Sequence, residues 1–159
     1  MPVRNVTKEV LEKYIQISID GVPAVGMGAA IDDFRELEEK LGLTFPIDVL
    51  DLYLIHNGIG LISKSGKTYW HFHPLGGMID FINGIRKFFL DTHPDLARRF
   101  LPIFDWNSGD AVGYLMGEDG RWKSGMYEFE HENYEFTIDQ PESEFISKCS
   151  SNLVNFLRS

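Results

Sequence analysis

The chain has 159 residues, 43% hydrophobic and 13% aromatic, and this length and composition fit one globular domain over residues 1–159. Its formal net charge of −9 argues against direct nucleic-acid binding, which needs a basic face to meet phosphates, and is typical of a soluble protein or of one whose partner is basic. The single cysteine, Cys149, excludes an internal disulfide.

No charged and apolar segment of the signal-peptide type opens the sequence. The longest uncharged stretch, residues 21–31, is too short and too rich in glycine to cross a bilayer. We therefore expect a cytoplasmic protein without membrane contact.

The first part of the chain predicts one helix and then an irregular connection. Thr7 can cap a helix that begins at Lys8, after which apolar residues recur at helical spacing. Residues 21–28 contain a proline and three glycines, so they are expected to form a turn-rich connection.

Two short helices joined by a tight connection are predicted within residues 31–56. Gly42 stands where a left-handed residue ends a helix, and Pro46 suits the first position of the next helix. The first helix has an apolar stripe of Phe34, Leu37 and Leu41. The stripe predicted for the second helix is Ile47, Leu50 and Leu54. Val49 and Tyr53 widen it, so this helix should be buried on more than half of its circumference.

After residue 58 the pattern predicts two strands and further helices. Residues 59–62 and 69–72 are typical of a pair of short strands around a turn. The pair Gly76-Gly77 is expected to break the chain, and a helix is predicted from Ile79 to Phe89. Residues 94–99 are expected to add a helical turn.

The last third predicts an antiparallel meander and a closing helix. Its strands are predicted at residues 101–104, 111–116, 125–130 and 134–138. The helix is expected to start at Pro141 and Ser143, to reach Leu157 and to carry Cys149 as a partly buried, inert thiol. This order of elements indicates the α+β class, with a twisted antiparallel sheet flanked by helices in a single domain.

Short motifs occur in a fixed order from residue 30 to the C-terminus. They are Phe34, Glu38 and Gly42 at spacing four, then Phe45-Pro46, Asn57-Gly58, Leu101-Pro102-Ile103, Gly109-Asp110, an acidic strand end at residues 128–132 and an apolar ending at residues 153–157. In this order the motifs resemble the SUKH superfamily, in particular its branch related to the fungal cell-wall assembly regulators.

The resemblance implies an α+β domain with helices around a central twisted antiparallel sheet. It also implies a bacterial immunity protein, which binds and neutralises a cognate secreted polymorphic or contact-dependent toxin, often a nuclease or deaminase. Neutralisation would be by occlusion, without catalysis. The alternative is an intracellular regulatory scaffold or peptide-binding module, as in the fungal relatives.

An acidic segment carries the predicted binding surface. Residues 105–144 contain eleven carboxylates and only two bases, Arg121 and Lys123. Such a surface would steer a basic toxin into contact, and tryptophan is a frequent interface anchor. The other interpretation is a solvated face with two packed tryptophans. The predicted partner-binding residues are Asp105, Trp106, Asp110, Glu118, Asp119, Trp122, Glu128, Glu130, His131 and Glu132.

The His-x-His pair of His71 and His73 raises the hypothesis of a metal site, because alternate strand residues share a face. Asp110 or His131 could supply a third ligand. In the other interpretation both imidazoles face solvent while the flanking aromatic residues point inward. We expect no metal and no cofactor.

Enzymatic motifs are missing from the sequence, which has no Gly-x-Ser-x-Gly elbow, P-loop or GxGxxG. Glu38, the charged member of an otherwise apolar motif, is predicted to accept N–H groups from the next helix or the loop before it. We therefore expect a binding protein in which Glu38 supports the fold.

Overall fold

The computed structural model describes residues 5–159. In that range there are six helices, and seven strands form two antiparallel sheets. The helices are α1 (Lys8–Ser18), α2 (Ile31–Leu41), α3 (Ile47–Ile55), α4 (Leu75–Lys87), α5 (Pro94–Arg99) and α6 (Leu153–Arg158). The strands are β1 (Val22–Val25), β2 (Ile59–Ile62), β3 (Thr68–Phe72), β4 (Phe100–Asp105), β5 (Ala111–Leu115), β6 (Met126–Phe129) and β7 (Ile146–Ser150). Strands β1–β3 and β4–β7 each pair in chain order, so the predicted α+β class is confirmed.

Strand β1 occupies residues that the sequence predicts as an irregular connection. It pairs antiparallel with β2, with Val22 opposite Ile62 and Val25 opposite Ile59. Pro23 is tolerated because β1 is an edge strand, where one missing N–H need not disrupt a ladder. The prediction was wrong because this strand is defined by its distant partner and not by a local pattern.

The connection between α2 and α3 is built as predicted. Gly42 adopts a left-handed conformation with φ 69°, which ends α2. The Glu38 side chain is only 7% exposed, and its carboxylate accepts the Phe45 N–H at 2.7 Å and an Arg35 N–H at 2.5 Å. Glu38 therefore supports the fold, as the sequence indicates.

Helix α3 starts one residue later than predicted and differs in part of its apolar stripe, whereas its predicted burial on more than half of its circumference is confirmed. It begins at Ile47, so that Pro46 is the N-cap residue. Ile47, predicted to be in the stripe, is 63% exposed, whereas Leu52 is fully buried. All residues from Val49 to Tyr53 are buried, because this short apolar helix is surrounded by other elements on most of its circumference.

Helix α4 begins at Leu75 and runs through the two glycines that were expected to break the chain. The Asn57 side chain accepts the Leu75 N–H at 2.8 Å and so caps the helix from 18 positions away. Met78 and Ile82 then bury the helix against the core. The local glycine signal was overridden by this distant cap and by packing.

The end of the chain also departs from its prediction. Residues 146–150, expected to be helical, form β7, which pairs Ile146 with Phe129 and Ser150 with Met126. The predicted strand at residues 134–138 belongs to neither sheet, because β7 takes the place beside β6. Cys149 consequently lies on an edge strand instead of in a helix, and the residue as a whole is exposed although its thiol is partly withdrawn from water.

The four-stranded sheet separates two buried clusters. One face packs with the helices of the N-terminal half and α6, through Leu101, Phe104, Val112, Tyr114 and Met126. The other face packs with the end of α4 and with α5, through Phe100, Ala111, Leu115, Phe129 and Ile146. Because both faces are covered, most of the surface of this sheet that a partner could contact lies at its ends and in its loops.

None of the helices in residues 5–159 has the length and the apolar character needed to cross a bilayer.

Candidate functional site

The predicted binding residues lie at two opposite ends of the four-stranded sheet. Strand β5 pairs Ala111 with Asp105 and Phe129 at one end, and Leu115 with Phe100 at the other. The two ends are about 14 Å apart, since an antiparallel strand rises about 3.4 Å per residue. We call the first the acidic end; it carries Asp105, Trp106, Asp110, Glu128, Glu130, His131 and Glu132.

Trp106 is the large side chain that the acidic end presents to solvent. It is 49% exposed, and its ring meets the edge of buried Phe104 with ring centroids 4.9 Å apart. Its indole N–H donates to the Glu128 carboxylate at 3.2 Å. One side of the ring is therefore fixed against the protein while the other is free for a partner.

The turn after Trp106 is held by several hydrogen bonds. Asn107 has a positive φ of 61°, and its N–H donates to the Asp105 carboxylate at 2.7 Å. Its side-chain amide donates to the Trp70 carbonyl at 3.0 Å. Asparagine is among the residues that tolerate this backbone conformation. In the sequence, Asn107 lies between two predicted strands, and no local pattern indicates that it positions the exposed tryptophan.

Two histidine–carboxylate pairs orient the aspartates of the acidic end. His73 Nε2 donates to Asp105 Oδ2 at 2.8 Å, and the His73 ring stacks on Phe81 with centroids 4.7 Å apart. His131 donates to Asp110 Oδ1 twice, from its backbone N–H at 2.9 Å and from Nδ1 at 2.5 Å. The two carboxylates are thus held in fixed positions before any partner arrives.

The histidines of the metal hypothesis have separate protein partners. The His71 Nδ1 is hydrogen-bonded to the Tyr14 hydroxyl at 2.5 Å, and burial lowers the pKa of His71, against the opposing charge of Asp105. His73 is bound to Asp105. In residues 5–159 no group of three or more His, Cys, Asp or Glu side chains is arranged to hold a metal ion.

The carboxylates of the acidic end lie close enough to influence each other. Partial burial raises the pKa of Glu128, and the charges of Glu130 and Asp110 raise it further, against the hydrogen bond from Trp106. Partial burial, together with the charge of Glu128, also raises the pKa of Cys149 to about 11. Glu128, Glu130 and Asp110 therefore lie within electrostatic range of one another, and ionisation of Glu128 is opposed by its surroundings.

The neighbouring bases point to the opposite end of the sheet. Arg121 and Lys123 lie in the loop that joins β5 to β6, beyond Leu115. Lys148 of β7 extends along Gly125, since a Cβ built on that glycine would lie 2.4 Å from Lys148 Cε. In the described part of the chain, the carboxylates of the acidic end form ion pairs with His73 and His131 and with no lysine or arginine.

The remaining predicted residues have structural contacts at the other end of the sheet. The Trp122 indole N–H donates to the Thr44 carbonyl at 3.0 Å and ties this loop to the connection between α2 and α3. The Asp119 carboxylate accepts the Arg121 N–H at 3.0 Å within its turn, and Glu118 is exposed. Binding of a partner by these three residues stays a prediction.

Comparison with known proteins identifies one family. The model of the SMI1 / KNR4 family (SUKH-1) matches residues 28–158, which confirms the resemblance seen in the sequence motifs. No curated protein matches the chain.

Proposed function

The chain belongs to the SMI1 / KNR4 family (SUKH-1), and we propose that it is an immunity protein that neutralises a cognate toxin. The superfamily includes immunity proteins. The acidic end binds a basic toxin, such as a nuclease, and covers its active site without any catalytic step. The cell interior is the place where such a toxin would be neutralised.

The observation that carries the proposal is the exposed Trp106 within a group of carboxylates that form no ion pair with a lysine or arginine of residues 5–159. A nuclease presents positive charge where it binds nucleic acid, and an acidic surface is complementary to it. Long-range attraction between such surfaces speeds association, and a half-exposed tryptophan can supply a buried anchor in the complex.

The hydrogen bonds within the acidic end support tight binding. Asp105 and Asp110 are each held by a histidine, and Trp106 is held by Glu128. Side chains that are already ordered lose less conformational entropy when a complex forms. The surface is therefore suited to one well-fitting partner.

Co-expression with toxin domains encoded in the neighbouring reading frames tests the proposal. We expect growth to be restored by the wild-type protein and the toxin domain to co-purify with it. Lysine substitution of Glu128, Glu130 and Glu132 should weaken this protection. The control is lysine substitution of Glu12, Asp20 and Glu39, which are exposed carboxylates elsewhere in the chain. It changes the net charge by the same amount and should leave protection intact. Equal loss from both triple variants would contradict a specific acidic interface.

A second candidate function is a regulatory scaffold or peptide-binding module. It is favoured by the edge strand β1, whose Val22 and Val25 are exposed and whose outer edge adjoins no other strand of its sheet. An extended peptide could add a strand there. Several co-purifying partners, with amide shifts at β1 and none at Trp106, would favour this function over the first.

A further inference from the structure

The loop of residues 134–140 holds two apolar side chains in solvent although it is firmly anchored. Its first anchor is Tyr134, which is buried. The Tyr134 hydroxyl donates to the Phe88 carbonyl at 2.9 Å and is also hydrogen-bonded to the Thr92 hydroxyl. The start of the loop is thus fixed to the end of α4.

The second anchor is Gln140, a buried polar residue whose side chain bridges the loop. Its Oε1 accepts the Glu135 N–H at 2.8 Å, and its Nε2 donates to the Asn133 carbonyl at 2.7 Å. The Gln140 carbonyl accepts a hydrogen bond from His93 Nε2 at 2.7 Å. Both ends of the loop are therefore held by buried groups.

Between these anchors, Phe136 and Ile138 point outward, 59% and 78% exposed. Phe136 has a φ of 58°, which is uncommon for a residue with a bulky side chain. Such backbone conformations persist where the surroundings enforce them, and they are frequent at functional sites. The loop presents an aromatic ring where burial would ordinarily be expected.

The ring of Phe136 forms one wall of a cleft beside the end of α4. The exposed Phe88 packs against this ring edge-on, with 6.4 Å between ring centroids, so the two rings form one continuous aromatic wall. The cleft has a volume of about 530 Å³ and is lined by Gly84, Lys87, Phe88, Asp91, Thr92 and Phe136. It is large enough for an apolar side chain of a partner together with parts of its neighbours.

The charges around the cleft indicate the chemistry of that partner. Asp91 lies in the lining, and Glu135 and Asp139 are exposed in the loop that carries Phe136. Lys87 is the one base of the lining. The lining itself has one carboxylate and one base, and the two exposed carboxylates of the neighbouring loop add negative charge beside it. This excess is complementary to lysine or arginine next to the inserted side chain.

We infer that the cleft receives an apolar side chain of a protein segment in which lysine or arginine flanks that residue. The inference rests on the proposed function, because the segment would belong to the same basic partner. Phe88 contacts Phe129, with ring centroids 6.1 Å apart, and Phe129 stands between Glu128 and Glu130. The cleft therefore extends the acidic end onto the other face of the sheet. A second copy of this chain fits poorly, because both surfaces would carry an excess of negative charge.

Amide chemical shifts during titration with short synthetic peptides test the inference. One peptide has a leucine flanked by two lysines on each side, and its controls carry serine for leucine or glutamate for lysine. We expect the lysine–leucine peptide at millimolar concentration to shift the amides of Phe88, Asp91 and Phe136. The serine peptide should leave them in place, and so should the glutamate peptide.

Phe136→Asn is the matched variant, because asparagine tolerates the left-handed backbone and should preserve the loop. Ile17→Asn, which removes an exposed apolar residue from α1, is the control. We expect about tenfold weaker peptide binding for Phe136→Asn and no change for Ile17→Asn. Equal binding by all three proteins, or no shift at the cleft, would overturn the inference. A concentration-dependent dimer that Phe136→Asn abolishes would overturn it too, because the cleft would then bind a second copy.

The two proposals can fail separately. If no toxin domain is bound but the peptide shifts persist and depend on Phe136, the immunity function is wrong and the cleft remains a docking site for basic segments. If wild type and Phe136→Asn bind a toxin with the same affinity, and the peptides cause no shift, the inference about the cleft is wrong. The proposal that the acidic end binds the toxin is then retained.

Discussion

The connection between α2 and α3 and the acidic end of the four-stranded sheet use carboxylates in opposite ways. Glu38 is buried near the end of α2, and its carboxylate accepts the N–H of Phe45 in the connection that leads to α3. At the acidic end, Glu128 and Glu130 are only half-buried, and the charge of Glu130 helps to raise the pKa of Glu128. The first carboxylate is buried and bound to the backbone, whereas the others are partly exposed and, under the proposed function, can meet the positive charges of a partner.

Under the proposed function, this difference explains why the more recognisable part of the chain need not be its binding surface. The helix connection carries family motifs because a buried carboxylate, a left-handed glycine and packed aromatic rings leave few alternatives. A surface that recognises one partner has no such internal constraint. The region that identifies the family and the region that binds the partner are therefore expected to respond differently to mutation.

The largest expected effect is on stability, in the helix connection. Phe34 is fully buried, with the Phe45 ring 5.0 Å and the Tyr53 ring 6.3 Å from its own. Phe34→Ala should lower the free energy of unfolding by about 3–5 kcal/mol because it leaves a cavity. Urea denaturation measures this loss. Toxin affinity below the unfolding transition should be unchanged, and a parallel loss of affinity would break the separation between the two regions.

Removal of the buried carboxylate should cost somewhat less. Glu38→Ala leaves the Phe45 N–H without its acceptor and should lower the free energy of unfolding by about 1.5–3 kcal/mol, the range for a hydrogen bond to a charged group. Glu38→Gln keeps an acceptor oxygen and should recover part of that loss. Identical stability of the alanine variant and the wild type in thermal unfolding would show that the Glu38 hydrogen bonds contribute nothing.

The two tryptophans test which end of the sheet binds. Trp106→Ala should weaken toxin binding by about 1–2 kcal/mol, or roughly five- to thirtyfold, with little effect on stability. Trp122→Ala should instead destabilise the fold, because its indole N–H joins the loop to Thr44. Calorimetric titration and thermal unfolding of both variants measure the two effects. Weaker toxin binding by Trp122→Ala, together with lower stability of Trp106→Ala, would place the interface at Glu118, Asp119 and Trp122.

The smallest expected effect concerns the pH dependence of stability at Glu128. Its folded-state pKa is raised by partial burial and by Glu130 and Asp110, so ionised Glu128 opposes folding. The contribution of Glu128 to the free energy of unfolding should therefore fall as pH rises from the unfolded-state pKa through the folded-state pKa. Glu128→Gln should be slightly more stable at neutral pH, with the difference vanishing below about pH 4, near the unfolded pKa of glutamate. A difference that grows on acidification would contradict this sign.

Much of the fold could be predicted because its signals are local. Helices α1 to α3 and the strands β2 to β6 follow from periodicity, caps and turns. Strands β1 and β7 could not be predicted, since each depends on pairing with a strand far away in the sequence. The alternation of Tyr134, Phe136 and Ile138 predicts a strand, but Gln140 holds that segment as a loop.

The candidate site could be predicted in composition but not in geometry. The excess of carboxylates is visible in the sequence, yet successive turns of a meander lie at alternate ends of the sheet. The loop with Trp106 and the loop with Trp122 are consecutive turns and therefore lie apart. Asn107 and His73 position Trp106 and Asp105 through contacts between distant segments, which no local pattern encodes.

The association rate between the toxin domain and this protein tests the central claim most directly, when it is measured by stopped flow at low and high salt. We expect a fast rate for the wild type that falls steeply with salt. Lysine substitution of Glu128, Glu130 and Glu132 should slow association at low salt and flatten the salt dependence. Lysine substitution of Glu12, Asp20 and Glu39 should have much less effect. An unchanged low-salt rate in the first triple variant would contradict binding through the acidic end.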